Sequence, residues 1–186
     1  AFNASALWRR RRADSSTGNA ADDYGGGMST VVGSLASLGV RDATFEANHA
    51  EDSGGGLFTS GGPTTLTGLV LTDNTSEWGG GTSLNWGEIW VVGAVYERNV
   101  ATLGSASDLW DADVVLQDTL VADHTGGVGA FLVYSDAGPA TLVGAGATFL
   151  GNTPADVVVQ WASGESSGWS GLGADFSCST DALACE

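Results

Sequence analysis

The sequence predicts an all-β fold, a parallel β-helix (solenoid) of six to seven turns closed C-terminally by a disulfide loop. Three observations carry this. One short pattern recurs along the chain, a small-residue run follows each copy, and no stretch has the apolar i, i+3, i+4, i+7 spacing of a helix. Composition agrees: 29 of the 186 residues are Gly, and there is one Met, one Ile and no Lys. A helical bundle wants the opposite.

The pattern is Asp or Gly, two residues, an apolar residue, two residues, then Asn or His. It reads Asp42, Phe45, Asn48; Gly68, Leu71, Asn74; Gly93, Tyr96, Asn99; Asp118, Val121, His124; and Gly146, Phe149, Asn152. A degenerate copy ends at Asn19. From Asn19 the ladder position advances by 29, 26, 25, 25 and 28 residues. Each copy is followed by a small-residue run, as at Gly25-Gly26-Gly27, Gly54-Gly55-Gly56 and Gly79-Gly80-Gly81. The runs weaken at 104–106 and 129–131, and Gly is lost at 156–159.

Such a step suits one coil of a solenoid, each strand pairing with its equivalent one turn away at about 4.8 Å. Three strands per turn are expected. The first follows the Gly run, at 28–32, 57–59, 82–84, 130–134 and 157–160. The second is short, at 66, 88–92, 114–116 and 140–143. The third carries the apolar slot, at 44–45, 70–71, 94–96, 120–121 and 148–149. Phe45, Leu71, Tyr96, Val121 and Phe149 then stack as a core column. The preceding Asp or Gly tolerates the positive φ of a corner. The Asn side chains form a ladder from turn to turn, and His124 replaces one of them as a corner hydrogen-bonder. Residues 1–15 read as an N-terminal extension or cap, 16–160 as the repeats and 161–186 as a C-terminal capping segment. The chain opens Ala1-Phe2-Asn3, without an initiator Met or signal peptide, and reads as a processed product or a piece of something longer.

Net charge is −16, from 22 carboxylates against six Arg. Nucleic acid is a poor partner for such a chain. Arg9, Arg10, Arg11 and Arg12 stand together and read as an exposed stretch compensating nearby acid, or folding over Asp22 and Asp23 to cap an open end. No run approaches the roughly 20 apolar residues of a membrane helix. Cys178 and Cys185 suit one local disulfide, and with it an oxidising, extracytoplasmic compartment.

Phe45-Glu46-Ala47-Asn48 followed by Gly55-Gly56-Leu57, echoed at residues 96–99 and 149–152, resembles the repeat of polymorphic outer-membrane proteins. It is similar also to the broader right-handed parallel β-helix repeat proteins of secreted bacterial origin, whose fold is pectin-lyase-like. The resemblance covers about residues 16–160, and Trp169-Ser170-Gly171 through Cys185 resembles the closing segment of such proteins. It departs at His124 and at the weakened Gly runs. It implies a right-handed coil and a secreted or cell-surface protein, often an adhesin.

Stacking turns residues at equal offsets into neighbours. Asp22, Asp23, Glu51, Asp52 and Glu77 fall at matching offsets in three turns, giving either a solvated acidic face or a Ca²⁺ site, since Ca²⁺ takes six to eight oxygens. Asp108, Asp111, Asp113 and Asp118 form a second acidic group without the Gly and closing Glu of an EF-hand. Arg98 is expected to face Asp73 on one side and Asp123 on the other, as an exposed ladder. His49 reads as filler on an exposed corner. Trp78, Trp86, Trp90 and Trp110 lie close in sequence, suited to stacking on sugar rings, to a protein contact, or to packing of long loops against the coil.

No nucleophile elbow and no Cys–His pair is present, and no catalytic residue is assigned. Two functions follow. The first is a secreted or surface module for display and for recognition of a glycan or protein, with Ca²⁺ as the candidate cofactor. The second is a polysaccharide-active lyase or hydrolase, which would require Arg98 or His124 and carboxylates within reach of one sugar.

Overall fold

The computed structural model describes residues 14–33 and 36–186. These form a parallel β-solenoid of about six turns, all strand and no helix. The Arg9–Arg12 stretch lies outside the described residues.

One sheet carries the apolar slot, as a stack of Asp14–Thr17, Ala43–Glu46, Val70–Thr72, Val95–Glu97, Leu120–Ala122 and Thr148–Leu150. Its register places Phe45, Leu71, Tyr96, Val121 and Phe149 in one column, as the repeat spacing requires. All but Phe149 are buried. Phe131 meets Tyr96 and Phe149 edge-on, with centroids 5.7 and 6.2 Å away, so an aromatic seam runs through the core.

The corners follow from the slot residues. Asp42, Gly68, Gly93, Asp118 and Gly146 all have positive φ, between 49° and 71°. Three residues past the slot, buried Asn side chains tie the turns together. The N–H of Asn48 donates to Asn74 Oδ1 and that of Asn74 to Asn99 Oδ1, each at 3.0 Å. The Asn74 amide donates both to Asn99 Oδ1 at 2.9 Å and to the Phe45 carbonyl at 2.9 Å. Every buried polar atom of these amides is thereby used, as burial demands.

A turn has more strand than the sequence reading gave it. After the ladder Asn comes a separate four-stranded sheet of Ala20–Ala21, His49–Ala50, Thr75–Trp78 and Val100–Leu103. These pieces are short and mixed in polarity, so they carry no alternating signal. The third sheet has 12 strands. Its two halves are separate in most turns but fuse into the 11-residue strands Thr82–Val92 and Ser107–Gln117.

The C-terminal segment closes the last turn. Ser166–Trp169 pairs antiparallel with Val157–Trp161, and Phe176–Ser179 pairs antiparallel with Thr141–Ala145. Covering these edges removes a template for edge-to-edge association. The Cys178–Cys185 disulfide joins directly paired residues of the final hairpin. Among the described residues, no helix is long and apolar enough to cross a membrane.

Candidate functional site: an aromatic strip on the solenoid corner

The third sheet bends between its two halves, and the strip is built at that bend. In the second turn the bend is Gly61-Gly62-Pro63, with Gly61 at φ 107°. In the next two turns Trp86 and Asp111 stand at the bend, at φ 53° and 50°. The strands are paired on both sides of this point, Asn85 with Trp110 and Gly87 with Ala112. A Cβ at Gly87 would lie 2.1 Å from the Gly61 carbonyl oxygen, so only Gly fits there. The tight stack thus leaves Trp86 in a left-handed conformation that bulky residues avoid.

That conformation directs the indole outward. Trp86 is 48 % exposed, and its ring lies 5.7 Å from that of Trp110, tilted by 36°. Trp110 stacks in register with Tyr134, the rings edge-on at 5.9 Å. Three aromatic side chains from three successive turns therefore form one strip parallel to the solenoid axis.

A short loop fixes Trp110. Its Nε1–H donates to Asp136 Oδ1 at 3.2 Å. Asp111 holds the loop that carries Asp136. Its Oδ1 accepts from the Ser135 hydroxyl at 2.8 Å and from the N–H groups of Asp136 and Ala137 at 3.2 and 3.3 Å. Burial pushes the Asp111 carboxyl up, but these hydrogen bonds outweigh it and leave its pKa below the usual range. The strip thus has a carboxylate-bearing rim that is held by hydrogen bonds rather than loose.

The other Trp residues divide. Trp78 packs sideways with Leu103, Val128 and Tyr134 over Leu132 and Val158, and its ring lies 6.2 Å from Tyr134. Trp90 is 40 % exposed and makes no ring contact with the other three among the described residues. Its strand neighbours are Thr65 and Val115. Tyr134 was missed as a strip member. Its signal was available, because it ends the 130–134 stretch one repeat after Trp110.

The predicted acidic column forms along the backbone. Ser53 bridges Tyr24 on one side and Trp78 on the other, which stacks Asp23, Asp52 and Glu77. The N–H of Asp52 donates to the Asp23 carbonyl, and that of Glu77 to the Asp52 carbonyl, both at 3.1 Å. Asp22 and Glu51 lie beside this column. Asp52 and Asp23 together raise the pKa of the Tyr24 hydroxyl by charge repulsion. No group of three or more His, Cys, Asp or Glu among the described residues is placed to hold a metal ion.

The second acidic group is dispersed. Asp113 accepts from the Thr141 hydroxyl at 2.6 Å, and Asp118 from the Gln117 amide at 3.4 Å. Asp108 is only 2 % exposed, and its Oδ1 has no hydrogen-bond partner. Burial pushes its carboxyl up to about 7, against the pull of the Ser83 hydroxyl, and the charge of Asp52 adds to the rise.

Arg98 is half as predicted. Its Nε and Nη2 both donate to Asp73, each at 3.0 Å, while its second contact is its chain neighbour Glu97 rather than Asp123. A side chain this long reaches sideways as easily as across a turn. His49 is exposed, with Nδ1 2.9 Å from the Thr75 hydroxyl. His49 and Thr75 border a shallow groove of about 610 Å³ with Val100, Leu103 and Val128.

Compared with known proteins, the chain matches no family model, no curated protein and no solved structure.

Proposed function

We propose that the protein is a non-catalytic recognition module, secreted or displayed at a cell surface, that grips a glycan with the Trp86, Trp110 and Tyr134 strip. The observation that supports this most is the backbone of Trp86. Holding a residue with a Cβ in the left-handed region costs about 1–2 kcal/mol. Neighbouring turns meet the same bend with Gly61 and Asp111, which tolerate it. Ala47, Arg98 and Leu183 share this conformation elsewhere, but among the described residues Trp86 is the one aromatic that does, and strain at an exposed ring is a pointer to function. What the strain yields here is an exposed indole in line with two further rings, Trp110 tilted from it by 36° and Tyr134 edge-on to Trp110.

Rigid aromatic faces suit sugar rings, because they offer a large contact that costs little ordering on binding. The disulfide suits an oxidising compartment, and the likeness to surface β-helix repeats points the same way. The Asp23, Asp52 and Glu77 column reads as a solvated acidic face.

The alternative is a lyase or hydrolase acting on polysaccharide. It needs a free cation or an acid–base pair facing one sugar. Arg98 is bound to Asp73 and Glu97, and His124 is buried in the ladder. Neither is offered to a substrate.

The test is a glycan array probed with the full chain and with Trp110→Ala. The expected result is a set of glycans bound by the first and lost by the second. Equal binding by both would sink the reading.

A further inference from the structure

The strip also says what kind of glycan fits, an inference that rests on the recognition reading above. We infer that the ligand is a neutral, linear oligosaccharide lying parallel to the solenoid axis, with successive sugar rings on Trp86, Trp110 and Tyr134.

Direction comes from register. Asn85, next to Trp86, pairs with Trp110, and Trp110 pairs with Tyr134. The three rings therefore rise one turn at a time, with centroid separations of 5.7 and 5.9 Å. Adjacent turns are about 4.8 Å apart, close to the length of one hexose unit in an extended chain. A ligand crossing the axis would meet at most two rings, Tyr134 and its neighbour Trp78. A ligand running along it meets three.

Charge decides the class. The exposed carboxylate at the rim of the strip is Asp136, bound to Trp110; Asp111 lies beneath it, with Oδ1 taken up by the loop and Oδ2 buried. After Arg41 the chain has one cation, Arg98, and it is held by Asp73 and Glu97. A uronate, sulfated or phosphorylated chain would therefore meet the negative charge of Asp136 and Asp111, with no free cation supplied by the described residues that follow Arg41, within a protein of net charge −16. Like charges set against one another are a means of rejecting wrong partners. Sugar hydroxyls, by contrast, donate well to carboxylates.

A lysine-rich peptide would satisfy the same charge rule, through carboxylates and ring faces. The ring spacing favours the sugar chain, because a one-turn rise matches a repeating ring and no feature of an extended peptide.

The experiment is calorimetric titration of the full chain with cello-, xylo- and manno-oligosaccharides of increasing length. Oligogalacturonates and a lysine-rich peptide complete the set. Each is repeated on Trp110→Ala and on Trp86→Gly, the second chosen because Gly suits the bend. The expected result is affinity for a neutral series that grows until three rings are covered, then levels off. It should vary little with salt and be lost in both variants. Oligogalacturonates of equal length should bind at least about tenfold more weakly at low salt.

Oligogalacturonate binding that both variants lose would overturn the neutral class and leave the strip as the binding face. Salt-sensitive peptide binding lost in both would overturn the glycan. Neutral-chain binding untouched by either variant would overturn the strip itself, and with it the recognition reading. No saturable binding of any neutral series would overturn this inference, and the array then decides whether the strip binds anything else.

Discussion

His124 Nδ1 lies 3.1 Å from the carbonyl oxygen of Asn99, in the slot that an Asn fills in neighbouring turns. The backbone N–H of His124 still donates to Asn152 Oδ1 at 3.2 Å, so the ladder continues below it. Above it the ladder is incomplete. Where Asn99 Oδ1 accepts from the N–H of Asn74, His124 offers no oxygen to Asn99. Its Nε2 is buried without a partner.

Replacing it should therefore repair the column. In His124→Asn the amide oxygen would face the Asn99 N–H, and the amide nitrogen the Tyr96 carbonyl, as Asn74 faces Phe45. The net gain of a hydrogen bond is about 1 kcal/mol, and in a chain of this length that shifts Tm by about 2–4 °C. Burial lowers the His124 pKa. The unfolded chain then binds the more protons, and stability falls as pH drops through the unfolded value of about 6.5. His124→Asn should remove that component. Melts at pH 5 and 8 check both points: the variant's advantage should be larger at pH 5. An advantage equal at both would mean that His124 does not titrate differently on folding.

Asp108 carries the opposite pH dependence. With its folded pKa raised to about 7, the native state binds the extra proton. Its contribution is fully favourable below the unfolded value of about 3.9. It is lost progressively as pH rises towards 7, because an ionised carboxylate must then stay buried. Asp108→Asn keeps the shape and cannot ionise. It should be close to neutral at pH 4 and stabilising by a few kcal/mol at pH 8, about the free energy of a shift this large. Denaturant melts of both proteins across that range are the check. A variant equally or less stable at pH 8 would show that the carboxyl ionises without cost.

The place of Asp108 also shows where sequence reading stops. The slots, the corner Asp and Gly residues and the Asn ladder were legible because each repeats one spacing and has one physical job. Asp108 belongs to a column of alternate residues, with Phe58, Ser83, Leu132 and Val158, on the outer face of the third sheet. Alternation alone makes that face solvent-exposed. It is buried because Trp78, Leu103, Val128 and Tyr134 pack over part of it and Tyr24 stacks on Phe58 at 4.7 Å. Tyr24, Trp78 and Leu103 share one register position with Ser53, just before each small-residue run, but the residue type there changes from turn to turn, so no motif announces the cover. The strip was half legible for a related reason. Trp86 and Trp110 drew notice by type, but their alignment with Tyr134 depends on the strand register across the bend.

The stacked carboxylates predict a salt response. Asp23, Asp52 and Glu77 repel along the column, and exposed charges are screened within about 10 Å at 0.1 M salt. Added NaCl should raise Tm steadily. Ca²⁺ and Mg²⁺ at equal ionic strength should do so alike, with no stoichiometric heat. A Ca²⁺-specific rise, reversed by chelator and lost in Asp52→Asn, would mean that the carboxylates close on an ion, and would move calcium into the account of function.

Trp86→Gly separates stability from recognition. Gly takes positive φ without the Cβ clash, a relief of about 1 kcal/mol or more. Against this stands the loss of the ring contact with Trp110, which is half open to solvent and so worth about 0.5–1.5 kcal/mol at most. The variant should melt within a few degrees of the parent chain, on either side, while the glycan response of the strip disappears. Trp86→Ala loses the same ring but keeps the Cβ, so it should be the less stable of the two by about 1 kcal/mol. Thermal melts of the three proteins check the strain, and the glycan titration checks the strip. Equal stability of the Gly and Ala variants would mean that the bend relaxes around any residue. The left-handed Trp86 would then no longer argue for a binding face.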